Sequence, residues 1–312
     1  MNFAIGVDIG GTNTDIGLVS REGKCLARTR ISTAAYQDAS RYVDDLVLAI
    51  RQLLKEAGLT QMVGVGIGAP NGNYYTGNID TAPNLNFKSN VPIRQMMQDR
   101  LNTHVVVTND ANAAAYGEMI YGGAKTMKHF IMVTLGTGIG SGFVVDGRLV
   151  YGHDGYAGEL GHITLFPDGR LCTCGRKGCL EQYTAARGIR QTCLELMARA
   201  PYSGSLTQYD IDDLGCKAIS KEAHAGDPLA LEVFDYTGKL LGIALANAVT
   251  FSSPEAIFLM GGLMQAGDIL LEPLRRSFEQ NLLFTYKDKV KILPSQLPQN
   301  DASILGAAAL TY

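Results

Sequence analysis

The sequence predicts an α/β protein made of two similar halves, and three observations predict it. A strand, a glycine-rich turn and a second strand occur twice, over Phe3–Val19 and again over Phe130–Val150, about one hundred and twenty residues apart. Apolar runs of strand length alternate with helical patterns between and after these units. At 312 residues the chain exceeds what one hydrophobic core usually serves, so two domains are expected.

The elements follow in order. FAIGVD and DIGLVS flank IGGTNT as a hairpin with exposed backbone N–H groups. Tyr42, Leu46, Val47, Ile50, Leu53, Leu54 and Ala57 share one helical face that Gly58 ends. MVGVGIGA (62–69) and THVVVTND (103–110) read as buried strands, and Ala111–Tyr121 as a helix. FIMVTL, GTGIGS and GFVVDGRLV repeat the opening hairpin. Ala185–Ala200 and Leu229–Phe251 are long helical patterns, AIFLMGG is a strand entering a turn, and Ser303–Leu310 is a small-residue helix capped by Asn300 or Asp301. The domain boundary is placed near Tyr121-Gly122-Gly123.

Composition narrows the function. Apolar residues at 46% with charged residues at 18% describe a soluble globular chain. A net charge of −3 argues against a protein held on nucleic acid by bulk electrostatics. MNFAIGVDIGG has no basic region leading into a long apolar run, so no secretory signal is expected. The longest apolar stretches, such as Phe130–Leu135 and Ala256–Met260, fall well short of the ~18–20 residues that cross a bilayer. No membrane partner and a cytoplasmic location are expected. Six cysteines are too few for a disulfide scaffold in a chain this long, so clustered cysteines point first to metal or catalysis.

The cluster is His162, Cys172, Cys174 and Cys179, spaced H-x9-C-x-C-x4-C among Gly169, Gly175 and Gly178. Three thiolates and an imidazole suit a closed tetrahedral zinc, structural because no position is left open for water. Free thiols or a redox pair are the alternatives. Cys25, Cys193 and Cys216 read as small core residues. DIGGTNT (8–14) and LGTGIGSG (135–142) are turns whose backbone amides and hydroxyls can cradle phosphate, and Asp8 can hold Mg²⁺ through water. Neither turn matches the P-loop or the dinucleotide fingerprint. Asn109-Asp110 ends a strand where ligands sit in α/β sheets, so Asp110 is a general base or a helix cap. Glu159 and Glu181 flank the cysteine loop, either recognising a polyhydroxylated ligand, supporting the metal site or simply charging the surface.

Together DIGGTNT, TND-A-N-A-A, LGTGIGSG, E-x-G-H (159–162), CTCGRKGCLE (172–181), Gly261-Gly262-Leu263 and the closing LGAAAL resemble the ROK family of sugar kinases and repressors, most closely its ATP-dependent bacterial glucokinases. The resemblance implies an actin-like ATPase fold: two RNase-H-like α/β domains with a cleft between them. It implies a smaller domain over 1–121, joined by the C-terminal helix 301–312, and a larger one over 122–300. The implied activity is ATP-dependent phosphorylation of a hexose at its 6-hydroxyl, glucose first, with N-acetylmannosamine, N-acetylglucosamine, fructose or allose as alternatives. Asp110 would be the general base. Asn84, Asn109, Glu159, His162 and Glu181 would bind the other hydroxyls, His162 serving zinc as well. Asp8, Gly10, Gly11, Thr12, Thr137 and Gly138 would hold the ATP phosphates and Mg²⁺, with Gly261 and Gly262 against the nucleoside. A homodimer is implied too. Asn13 stands where many members have lysine, and Asn71 lengthens the usual Pro-Gly to Pro70-Asn71-Gly72. A sugar-responsive regulator of the same family is the rival, disfavoured because the first turn begins at Asp8 with no helix-turn-helix ahead of it. A non-catalytic sugar sensor is a further one, opposed by Asp110 and the two turns.

Overall fold

The computed structural model describes residues 2–82, 85–87, 90–199 and 202–312. In chain order its strands and helices are β1 (Phe3–Ile9), β2 (Asn13–Ser20), β3 (Cys25–Ser32), α1 (Ala39–Glu56), β4 (Val65–Gly68), α2 (Ile93–Leu101), β5 (Val105–Thr108) and α3 (Asp110–Ile120). Then come β6 (Phe130–Leu135), β7 (Ile139–Val145), β8 (Arg148–Leu149), α4 (Glu181–Thr184), α5 (Ala186–Arg199), α6 (Cys216–His224), α7 (Pro228–Ser252), β9 (Ala256–Met260), α8 (Asp268–Asn281), β10 (Lys291–Pro294) and α9 (Ala302–Ala309). Both strand–glycine–strand units are present as read. The chain divides into two compact units: Met1–Lys128 with Gly142–Gly158 and Ser295–Tyr312, and His129–Ser141 with Glu159–Pro294.

The first unit is built on a sheet of order β3-β2-β1-β4-β5. β1 pairs antiparallel with β2 and parallel with β4, which is itself parallel to β5. β4 is buried along its whole length, as a central parallel strand covered on both faces should be. α1 turns its apolar stripe, Tyr42 through Leu54, into the core with Ile5, Val7, Ile67 and Val107. Asp38 caps it by accepting the amide of Arg41 at 2.8 Å. α9 lies against β1 and β4 at backbone distance. A Cβ at Gly6 would stand 2.0 Å from the Ile304 carbonyl oxygen, and one at Gly66 1.8 Å from that of Ala307. Only glycine admits such an approach. Asp301 occupies the N-cap position of α9, yet its carboxylate makes no cap hydrogen bond and pairs with Arg28 at 3.6 Å.

The second sheet has the order β10-β9-β6-β7-β8, with β9 parallel to both β6 and β10. In the second unit α7 packs on α5, α6 and α8 and buries fourteen residues on several faces. That breadth is what a helix in the middle of a layer requires. Among the described residues, no helix is long and apolar enough to cross a membrane.

Candidate functional site

In the first unit the three parallel strands end in register, with Asp8, Gly68 and Thr108 side by side. Chemistry-bearing residues follow directly. Gly10, Gly11 and Thr12 form the turn into β2, where the Gly10 amide donates to the Asn13 carbonyl at 2.9 Å. The Thr12 carbonyl accepts from the Thr33 and Ala34 amides at 2.9 and 3.1 Å, which pins the turn while the threonine stays exposed. Beneath it Thr14 Oγ1 bonds Thr33 Oγ1 (2.8 Å) and the buried Tyr42 hydroxyl (2.6 Å).

The cap of α3 is Asn109, whose Oδ1 accepts the Asn112 amide at 2.7 Å. Asp110 is the next residue, the first of the helix, and so is released from capping. Its Oδ1 accepts the adjoining Ala111 amide at 2.8 Å. Solvent reaches this carboxylate although protein surrounds it, and that desolvation raises its pKa against the lowering pull of the Ala111 and Asp110 amides. Asp8 is pushed up to about 6, first by burial and further by the charges of Asp110 and Asp15, with the Ser303 hydroxyl opposing. Two neighbouring carboxylates with raised pKa values make an acidic pair that favours a proton or a cation. In the adjoining loop Asn71 takes a left-handed φ of 52° and its Nδ2 donates to the Thr81 carbonyl at 3.2 Å. Asn84 lies outside the described residues.

In the second unit the donor atoms of His162, Cys172, Cys174 and Cys179 all lie within 4.8 Å of one another. Cys174 and Cys179 Sγ are 3.6 Å apart, as are Cys172 Sγ and His162 Nδ1. Zinc–sulfur bonds of about 2.3 Å at tetrahedral angles give sulfur–sulfur edges of about 3.8 Å, so this donor set fits the ion. Burial pushes Cys172 and Cys179 up, whereas Cys174 moves down because the Arg176 backbone and side chain outweigh its desolvation. Three thiolates this close need a cation to coexist.

Glu181, the first residue of α4, adjoins the cluster: Oε1 lies 3.2 Å from Cys172 Sγ and 3.9 Å from His162 Nδ1. Its Oε2 stands 3.0 Å from where a Cβ on Gly138 would be, so it also faces the second glycine turn. There the Gly136 amide donates to the Gly138 carbonyl at 3.0 Å and Thr137 is exposed. Glu159 is exposed, immediately before the 3₁₀ turn Leu160–His162. Gly161 lets that turn press on β7, since a Cβ there would meet the Ile139 carbonyl oxygen at 2.3 Å. Gly261 and Gly262 follow β9. A Cβ on Gly261 would come 2.3 Å from the carbonyl oxygen of Leu135, the last residue of β6. The second unit therefore gathers Thr137, Gly138, Glu159, His162, Glu181 and the cysteines, with Gly261 and Gly262 at the same strand ends. The first gathers Asp8, Gly10, Gly11, Thr12, Asn109 and Asp110.

Four residues escaped the sequence reading. Gln182 Nε2 donates to Glu181 Oε1 at 3.3 Å, Arg176 Nη2 donates to the His162 carbonyl at 2.8 Å, Ser303 bonds Asp8, and Arg170 anchors α4. The two arginines stand inside the cysteine motif, where a basic residue is itself a signal. Ser303 carries none, because it is nearly three hundred residues from Asp8.

A family model described as the ROK family matches residues 4–312. A glucokinase of Streptomyces coelicolor is 35% identical, over 99% of this chain and 98% of its own. A xylose repressor of Caldicellulosiruptor bescii is 28% identical, over 98% of this chain and 77% of its own. The crystal structure of a ROK family glucokinase from Streptomyces griseus, in complex with glucose and AMPPNP, superposes with a TM-score of 0.83 at 32% identity, covering 99% of this chain and 98% of that one.

Proposed function

The chain belongs to the ROK family, and on that premise we propose that it transfers the γ-phosphoryl group of ATP to the 6-hydroxyl of glucose. Its fold is the actin-like ATPase fold of the family's kinases. The observation that carries the catalytic assignment is the division of labour at α3: Asn109 makes the cap bond and leaves Asp110 available. Asp110 takes the proton of the 6-hydroxyl, the oxygen attacks the γ-phosphorus in line, and the bond to the ADP oxygen breaks. Burial raises the Asp110 carboxylate above the usual range and makes it a stronger base, which suits that transfer.

Asn109, Glu159, His162 and Glu181 bind the remaining hydroxyls, with Asn84 among them. His162 would hold the metal through Nδ1, which lies 3.6 Å from Cys172 Sγ, and its Nε2–H would then be left to donate to the sugar. The amides and hydroxyls of Gly10, Gly11, Thr12, Thr137 and Gly138 hold the phosphates, Gly261 and Gly262 meet the nucleoside, and Asp8 would hold Mg²⁺ through water. When bound, Mg²⁺ neutralises charge on the phosphates. Zinc on His162, Cys172, Cys174 and Cys179 would be structural, in keeping with a reducing cytoplasm that leaves the thiols free for metal. Self-association into a homodimer belongs to the same proposal: Phe251 and Phe284 are 90% and 79% exposed, apolar surface that a second copy would cover. Light scattering of the purified chain checks it.

The test of function is ADP release with ATP and with polyphosphate as donors, against glucose, N-acetylglucosamine, N-acetylmannosamine, fructose and allose. A kcat/KM at least about tenfold higher for another sugar overturns glucose as the substrate. Sugar-dependent DNA binding with no ADP release would favour the regulator to which the xylose repressor relative belongs.

A further inference from the structure

α4 presents Glu181, yet it has four residues, and one turn of helix is too short to hold its own shape. On the preceding side the chain is held at Cys179. On the following side it is held by Arg170. Nη1 of Arg170 donates to the carbonyls of Gln182 and Gly188 at 2.7 and 3.1 Å. Nη2 donates to Thr192 Oγ1 at 3.0 Å and Glu195 Oε2 at 2.8 Å, and Nε to Glu195 Oε1 at 3.0 Å. All five N–H donors of the guanidinium are thus used. Its central carbon lies 4.5 Å from the Tyr183 ring centroid, over the ring, and the Arg170 amide donates to the Tyr183 hydroxyl at 2.8 Å. One side chain therefore grips the two residues after Glu181 and ties them to α5, its own position fixed by a bidentate carboxylate from that helix. The hydrogen bonds from Arg170 hold Glu195 below the usual carboxylate range, so the pair is ionised at neutral pH.

We propose that Arg170 is a positioning residue that sets the Glu181 carboxylate for hexose recognition without touching the sugar. The proposal rests on the hexose-kinase reading. Lysine at 170 keeps the charge but loses the fork that spans Gln182, Gly188, Thr192 and Glu195. Glu181 receives no proton in the reaction, so its displacement weakens binding of the sugar and leaves the chemical step nearly intact.

The experiment compares wild type, Arg170→Lys, Glu195→Gln, Glu181→Gln and the double variant Arg170→Lys/Glu181→Gln. It reads kcat, KM for glucose and for ATP, glucose Kd by calorimetry, bound zinc and the unfolding midpoint. Arg170→Lys is expected to raise KM and Kd for glucose about tenfold or more, with kcat within about threefold and KM for ATP and bound zinc unchanged. The double variant should be no worse than Glu181→Gln alone, the non-additivity of two residues acting through one contact. Glu195→Gln keeps the arginine and supplies the same direction of effect if Arg170→Lys fails to fold. Equal losses for glucose and ATP, additive effects in the double variant, or loss of zinc would each overturn the proposal. A wild type that neither phosphorylates nor binds any hexose defeats the kinase reading instead, before any variant is compared.

Discussion

Asn109 Oδ1 lies 2.7 Å from the Asn112 amide, and this bond separates two tasks that one side chain otherwise has to share at the end of a strand. Capping belongs to Asn109 and the free carboxylate to Asp110. Asp110→Asn should lower kcat by about 10³-fold, in the middle of the range for a general base, while calorimetry finds glucose binding within a few-fold of wild type. Asn109→Ala removes the cap and should lower stability by about 1 kcal/mol, read as a shift of the urea midpoint.

The raised pKa values set an acid limb on activity. Asp110 must be ionised to accept a proton, and Asp8, at about 6, must be ionised to hold a cation's water. We expect kcat/KM to fall as the pH drops through about 6, well above the ordinary carboxylate range. A profile flat down to pH 5 would contradict the assignment of Asp8 to the cation.

Asp8 also makes a prediction for stability. Its pKa is higher in the fold than its ordinary value, so the folded state binds the extra proton, and stability is lost as the pH rises from about 4 to about 6. Asp8→Asn should therefore stabilise the protein at pH 8 by about 2 kcal/mol and have little effect at pH 4. Urea unfolding at the two pH values separates this from a uniform effect, and phosphoryl transfer should fall in the same variant.

Metal removal should act on the sugar before it acts on ATP. The thiols of Cys172, Cys174 and Cys179 repel one another once ionised without a cation, and Glu181 is held two residues beyond Cys179. Chelation is expected to lower kcat/KM for glucose by about tenfold or more, with recovery on adding zinc. Full activity in a zinc-free preparation would remove the metal from the site.

The contact of α9 with the first sheet predicts a steep response to one methyl group. A Cβ on Gly66 has no space beside the Ala307 carbonyl, so Gly66→Ala should lower stability by about 3 kcal/mol, at the high end for overpacking. Gly58→Ala has open space around its Cβ but a left-handed φ of 68°, and should be milder. Chemical denaturation of the two variants side by side makes the comparison.

Both glycine turns, the cysteine cluster, the strands before Asn109 and the long helices were legible because each has a local signal: a spacing, a period or a run of valines. Other elements lacked one. β3 alternates only between half-buried and exposed, the pattern of an edge strand with no apolar face to read. α2 buries just Ile93 and Met97, and α8 carries Pro273 inside it, which sequence rules treat as a break. In the site, the proximity of Asp8 to Ser303 and the grip of Arg170 on α4 arise from contacts between distant segments. The choice of Asn109 over Asp110 as cap depends on a one-residue difference in where the helix begins, and helix ends are where a sequence pattern is least exact.

The helix that covers Gly6 and Gly66 is made of residues 302–309. A ribosome adding roughly 5–20 residues per second reaches that helix some tens of seconds after β1 has emerged. Throughout that interval Gly6 and Gly66 lack the backbone that packs on them in the fold, so this glycine-lined strip of the opening sheet stays open on the nascent chain until its last helix is made.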